Sequence, residues 1–188
     1  MKKETLLFVA VGVIALFLIG MMISQGGRGR SRTAAPPPSS MAPLADLQQN
    51  IKTLERIVAA DPANRQAWVQ LGNFFFQADQ PLKSVEAYDK ALALQADDPD
   101  VITDQGTMFR RLGMYDRALA NFIRANQVNP RHPQSLFNQG VVLRFDLNDF
   151  ARAEEVWRRY LELHPGDQRS AQIRQELESM HSNFQQMR

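Results

Sequence analysis

Three stretches decide how this chain folds: RQAWVQLGNFFFQADQPLKSVEAYDKALALQADD at 65–98, PDVITDQGTMFRRLGMYDRALANFIRANQVNPRH at 99–132, and PQSLFNQGVVLRFDLNDFARAEEVWRRYLELHPGD at 133–167. The first two are 34 residues long and the third is 35. Set one above another, they align glycine with glycine (Gly72, Gly106, Gly140), small residue with small residue (Ser84, Ala118, Ala153) and aromatic with aromatic (Tyr88, Phe122, Trp157). Apolar residues return at three and four, with no two-residue alternation and no Asn-Gly hairpin signal, so each stretch reads as a pair of helices in an all-α protein. The glycine lets two helices approach closely, and the aromatic fills the space between them. Such a pair cannot bury its apolar face alone, so a fixed period of this length means units stacked into a solenoid. The extra residue of the third unit is expected between its two helices.

The flanks continue the pattern. Residues 44–64 place Leu47, Ile51, Leu54 and Val58 on one face ahead of Pro62, the mark of the second helix of a half-repeat. Residues 168–188 carry Ile173, Leu177, Met180 and Phe184 at helical spacing and read as a capping helix. Pro130 and Pro165 close the second and third units, and Pro99 opens a helix with Asp98 as its N-cap.

On this period and these Gly, Ala, aromatic and Pro positions the chain resembles the tetratricopeptide repeat family, over about 120 of its 188 residues. It departs from the pattern in places. Only the first unit has the full Trp68-x-x-Leu71-Gly72; the others put Ile102 and Gln105, then Leu136 and Gln139, at those positions, and Tyr160 stands where a small residue is usual. The resemblance implies a groove lined by the first helix of each unit, taking an extended peptide or a partner helix. Carried over residue by residue, the lining is Gln66, Val69, Asn73, Phe76 and Gln77, then Asp100, Thr103, Thr107, Arg110 and Arg111, then Gln134, Phe137, Val141, Arg144 and Phe145. Apolar pockets beside a basic stripe (Arg110, Arg111, Arg144) suit a ligand with aromatic or aliphatic anchors and an acidic group. The lysine with which some members clamp chaperone tails is replaced by Val69, Thr103 or Phe137, so that ligand class is not expected.

The N-terminal end has a different character. Thr5 to Ile23 is a run of nineteen residues without charge or proline, about 28 Å long as a helix, which matches a bilayer core. A cleaved signal peptide is the rival reading; the length of the apolar run and the missing A-x-A favour a retained transmembrane helix over 1–23. Residues 24–43, SQGGRGRSRTAAPPPSSMAP, are too poor in apolar bulk to fold and read as a flexible linker. Positive charge flanks both ends of the span, so the charge rule nearly ties. The expectation is a single-pass protein of the inner, cytoplasmic membrane with residues 44–188 on the extracytoplasmic side.

Charge is unevenly spread. Residues 1–43 carry five basic groups against one acidic, 44–104 five against ten, and 105–188 twelve against nine. The folded part lacks the basic face of a nucleic-acid binder. No cysteine is present, which removes disulfides, thiolate metal sites and cysteine nucleophiles. No G-x-S-x-G, H-E-x-x-H or phosphate-binding loop occurs. His132 and His164 recur at unit ends and read as polar turn residues, so no catalytic, cofactor or metal residues are assigned. The chain is expected to be a non-enzymatic, membrane-tethered scaffold or assembly factor for a protein or peptide partner. Its architecture also resembles anchored repeat proteins that hold substrates during cell-envelope maturation, such as c-type cytochrome biogenesis. A structural subunit of a membrane complex is a second expectation. Self-association through the opposed charge halves is a third.

Overall fold

The computed structural model describes residues 42–186, so the expected transmembrane helix and nearly all of the linker lie outside the described residues. Among the described residues eight α-helices follow one another: α1 (Ala42–Ala60), α2 (Arg65–Gln77), α3 (Pro81–Leu94), α4 (Pro99–Arg111), α5 (Tyr115–Val128), α6 (Pro133–Val141), which runs on into a π turn (Val142–Asp146), α7 (Phe150–Leu163) and α8 (Gln168–Gln186). Among the described residues there is no strand, and no helix is long and apolar enough to cross a membrane. The first helix starts at Ala42, two residues ahead of the boundary read from the sequence.

The hairpins are α2–α3, α4–α5 and α6–α7, and each packs on the next through its second helix. Asparagine and aspartate caps start several helices: Asn64 accepts from the Ala67 amide at 3.0 Å, Asp98 from Asp100 and Val101 at 3.1 and 3.2 Å, and Asp149 from Arg152 at 3.1 Å. Proline at the first helical position opens α3, α4 and α6, where its missing N–H costs nothing. His132, a cap the sequence reading did not assign, accepts from the Ser135 amide through Nδ1 at 3.3 Å. Its Nε2 therefore carries the proton and donates to Asp100 Oδ1 at 2.9 Å, tying the start of α6 to the start of α4.

The aligned glycines do what their pattern implies. A β-carbon on Gly106 would stand 2.7 Å from Cε1 of Phe122, and Gly72 and Gly140 meet Tyr88 and Trp157 in the same way. All three aromatics are essentially buried. At this close approach the Ser84 hydroxyl donates to the carbonyl of Gly72 at 2.9 Å. The two glutamines that replace leucine are matched by polar partners. Gln105 Nε2 donates to Asp89 at 2.7 Å while its oxygen accepts from Asn121 at 2.8 Å, and Gln139 accepts from Asn126 at 2.6 Å. Buried amides paired in this way avoid the cost of unmet polar groups.

The third unit corrects one expectation. All three hairpin turns have the same form, with the middle residue in the left-handed region: Asp79 (φ 52), Gly113 (φ 72) and Asn148 (φ 55). The amide that closes each turn, however, reaches back five residues in the first two units (Gln80 to Phe75, Met114 to Phe109) and six in the third (Asp149 to Leu143). The extra residue is absorbed inside the first helix, as the π turn at 142–146, and not in the connection.

Candidate functional site

The open face of α2, α4 and α6 carries most of the residues assigned to the groove. Val69, Asn73, Phe76, Thr107, Gln134, Phe137 and Val141 are half-buried, while Gln66, Gln77, Asp100 and Arg111 are exposed. Thr103 does not join them. It is 1% exposed and donates to the carbonyl of Pro99 at 2.6 Å, under the His132 ring, so it holds the unit boundary and offers nothing to a ligand. Polar side chains pair along the floor, one pair between units. Asn138 donates to Thr107 at 3.3 Å, Gln134 to Asn138 at 3.3 Å, and the Tyr88 hydroxyl to Asn73 at 2.7 Å.

The basic stripe is largely spoken for. Arg110 grips both oxygens of Asp146 in the next unit, at 2.5 and 3.3 Å. Arg111 reaches back to Asp79 at 3.1 Å and lies 4.3 Å from the centre of the Phe76 ring. These arginines act as ties from turn to turn, at spacings of 32 and 36 residues that follow from the repeat. Arg144 differs: the π turn directs it over Phe150 and Phe145, at 4.7 and 5.4 Å from the ring centres. Phe145 stands 49% exposed, the most exposed phenylalanine on this face.

One acidic group on the same face was not singled out from the sequence. Asp104, half-buried one helical turn beyond Asp100, has its pKa pushed up to about 6, by burial first and by the Asp100 carboxylate second, with His132 opposing. Burial first and the Asp104 carboxylate second raise Tyr88 above the usual tyrosine range. The signal was present as Asp100-x-x-x-Asp104, two like charges on one helix face.

Among the described residues no group of three or more His, Asp or Glu is arranged to hold a metal ion. His164 links the third unit to the second: its Nε2 contacts the carbonyl of Arg131 at 2.9 Å. On the opposite face, a cleft of about 280 Å³ lies between α5 and α7, walled by Leu119, Ile123, Leu143 and Val156.

A stack of helical hairpins with one open face, tied by polar and ionic links at each unit boundary, defines an α-solenoid of the kind that presents a surface to protein ligands. The model of the tetratricopeptide repeat matches residues 46–99 and 103–168, and the chain belongs to this family. Among curated relatives, the human protein O-mannosyl-transferase TMTC3 is 31% identical over 98 residues, 52% of this chain and 11% of that protein. The human TMTC1 is 23% identical over 152 residues, 79% of this chain and 17% of that protein. The chain thus spans less than a fifth of the length of these relatives. Of solved structures, a tetratricopeptide repeat protein from Parabacteroides merdae superposes with a TM-score of 0.67 at 20% identity, covering 77% of this chain and 57% of that one. MamA gives 0.65 at 19%, covering 71% and 77%. The first such domain of Spaghetti (RPAP3), bound to the HSP90 peptide SRMEEVD, gives 0.58 at 20%, covering 64% and 92%. These likenesses establish the fold, and members of the family bind protein or peptide partners.

Proposed function

We propose that this chain is a membrane-tethered scaffold or assembly factor that takes a peptide or helix of a partner protein on the open face of α2, α4 and α6. The observation that carries the reading is the apolar strip Phe137, Val141 and Phe145 along α6 and its π turn, half-buried at the first two and exposed at Phe145, beside the hydrogen-bonded row Thr107, Asn138 and Gln134. A domain of the same fold holding a peptide supports the mode of binding. The lysine clamp for chaperone tails is replaced here by Val69, buried Thr103 and Phe137, so the ligand is of another kind.

The tether is the uncharged run Thr5–Ile23, joined through the Gly/Pro/Arg linker, with the repeat domain on the extracytoplasmic side of the inner membrane. The role is binding: the repeats account for most of the chain, and the transferases named among the relatives are matched over only a small part of their length. Photo-cross-linking in intact membranes, with the trapped protein identified by mass spectrometry, supplies the partner. Paired Thr107→Arg and Val141→Arg substitutions, which fill the face without touching the glycine seams, should then abolish its recovery while the helical circular dichroism is unchanged. Undiminished recovery would move the contact off this face.

A further inference from the structure

The π turn of the third unit is an uncommon conformation for a backbone to adopt, and such turns gather at functional positions. Register is held on both sides of it. Before it, Gly140 seats Trp157 as the other glycines seat Tyr88 and Phe122; after it, the turn through Asn148 repeats those through Asp79 and Gly113. Only the residues in between are re-aimed. Counted back from the turn, Phe145 takes the place of Phe76 and Arg110, and Asp146 the place of Gln77 and Arg111. Arg144 is the additional residue, turned over the first residue of α7.

Among the described residues Arg144 makes no salt bridge. Three carboxylates of the same segment are engaged elsewhere: Asp146 by Arg110, Asp149 by Arg152 at 2.6 Å, and Glu154 by Arg158 at 2.7 Å and by His181 at 3.4 Å. The Nε of Arg144 is buried without an acceptor. The guanidinium thus lies over the Phe150 ring and the exposed Phe145 ring, with its Nε unmet among the described residues.

We propose that the π turn builds the specificity site of the groove, in which Arg144 and Phe145 together recognise an aspartate or glutamate adjacent to a bulky apolar residue in the partner peptide. Charge complementarity selects the acid and the exposed ring selects its neighbour. The inference rests on the groove reading above and narrows its ligand. Panning a phage-displayed library of random dodecapeptides on the full-length chain in detergent should enrich sequences that share an acidic residue next to Leu, Phe or a similar side chain. Arg144→Met keeps an unbranched stem between the rings and removes the charge; it should weaken a synthetic consensus peptide roughly tenfold and leave selection for the apolar residue intact. Deleting Arg144, which restores the 34-residue period, should do the same. If the deletion variant does not fold, Arg144→Met decides. Enrichment blind to acidic residues, or equal affinity for Arg144→Met, overturns the inference and leaves the groove reading standing, provided that Thr107→Arg with Val141→Arg still stops enrichment. Failure of the wild-type chain to enrich any sequence overturns both.

Discussion

The indole of Trp157 lies against Gly140, in the space that a β-carbon on residue 140 would need. The relationship is repeated at Gly106 with Phe122 and at Gly72 with Tyr88, so one contact made three times sets the distance between the helices of every hairpin. The backbone of these helices does not require glycine; the partner ring does.

Replacing Gly106 by alanine is therefore expected to destabilise the domain although alanine is the better helix former. The added carbon would sit 2.7 Å from the Phe122 ring and 3.1 Å from the Asn121 side chain, both on a buried seam. The net loss should be up to about 2 kcal/mol, an overpacking cost of about 1–3 kcal/mol less the gain of about 1 kcal/mol in helix propensity. Urea denaturation followed by circular dichroism measures it, and stability equal to or above wild type would show that the seam yields.

The second expectation concerns the glutamine at the position where the first unit has Leu71. Gln105→Ala strips Asn121 of its 2.8 Å acceptor and leaves a cavity, at a cost of about 2–4 kcal/mol. Gln105→Leu together with Asn121→Ala removes both halves of that bond and restores the apolar filling, so it should lie closer to wild type than Gln105→Ala alone. The reverse order in thermal melts would mean that the polar link has no part in holding α4 to α5.

The third concerns pH. The carboxyl of Asp104 titrates near 6 in the folded chain, against 3.8 as its ordinary value. Between those values the folded chain holds a proton that the unfolded chain has released, so this group makes stability fall as pH rises from about 4 to about 6, with the full penalty present above that range. Asp98 and Asp100 add to the effect and His132 opposes it. Asp104→Asn should raise stability at pH 7.5 by about 1–3 kcal/mol and leave it unchanged near pH 4. A constant difference across that range would show that the carboxyl is not held neutral by its surroundings.

Much of this molecule was readable from spacing alone. The helix pairs, the glycine-to-aromatic seams, the Asp98 cap with Pro99, and the two terminal helices all follow from local pattern. What escaped was set by residues about one unit apart. Arg110 and Arg111 look like a free basic stripe until Asp146 and Asp79 are brought beside them, and no local pattern distinguishes a solvated arginine from a paired one. Thr103 is buried because the His132 ring closes over it. The place of the added residue was within reach of sequence: Asp79, Gly113 and Asn148 all tolerate the left-handed conformation, and aligning on them puts the insertion in the helix.

The central claim is that partners are taken on the face of α2, α4 and α6. A photoreactive amino acid placed in turn at Thr107 and Gln77 on that face, and at Lys90 and Arg158 on the other, in the full chain in its native membrane, tests it most directly. The account expects adducts with one and the same protein from the first two positions and none with that protein from the second two. Adducts confined to Lys90 and Arg158 would contradict it.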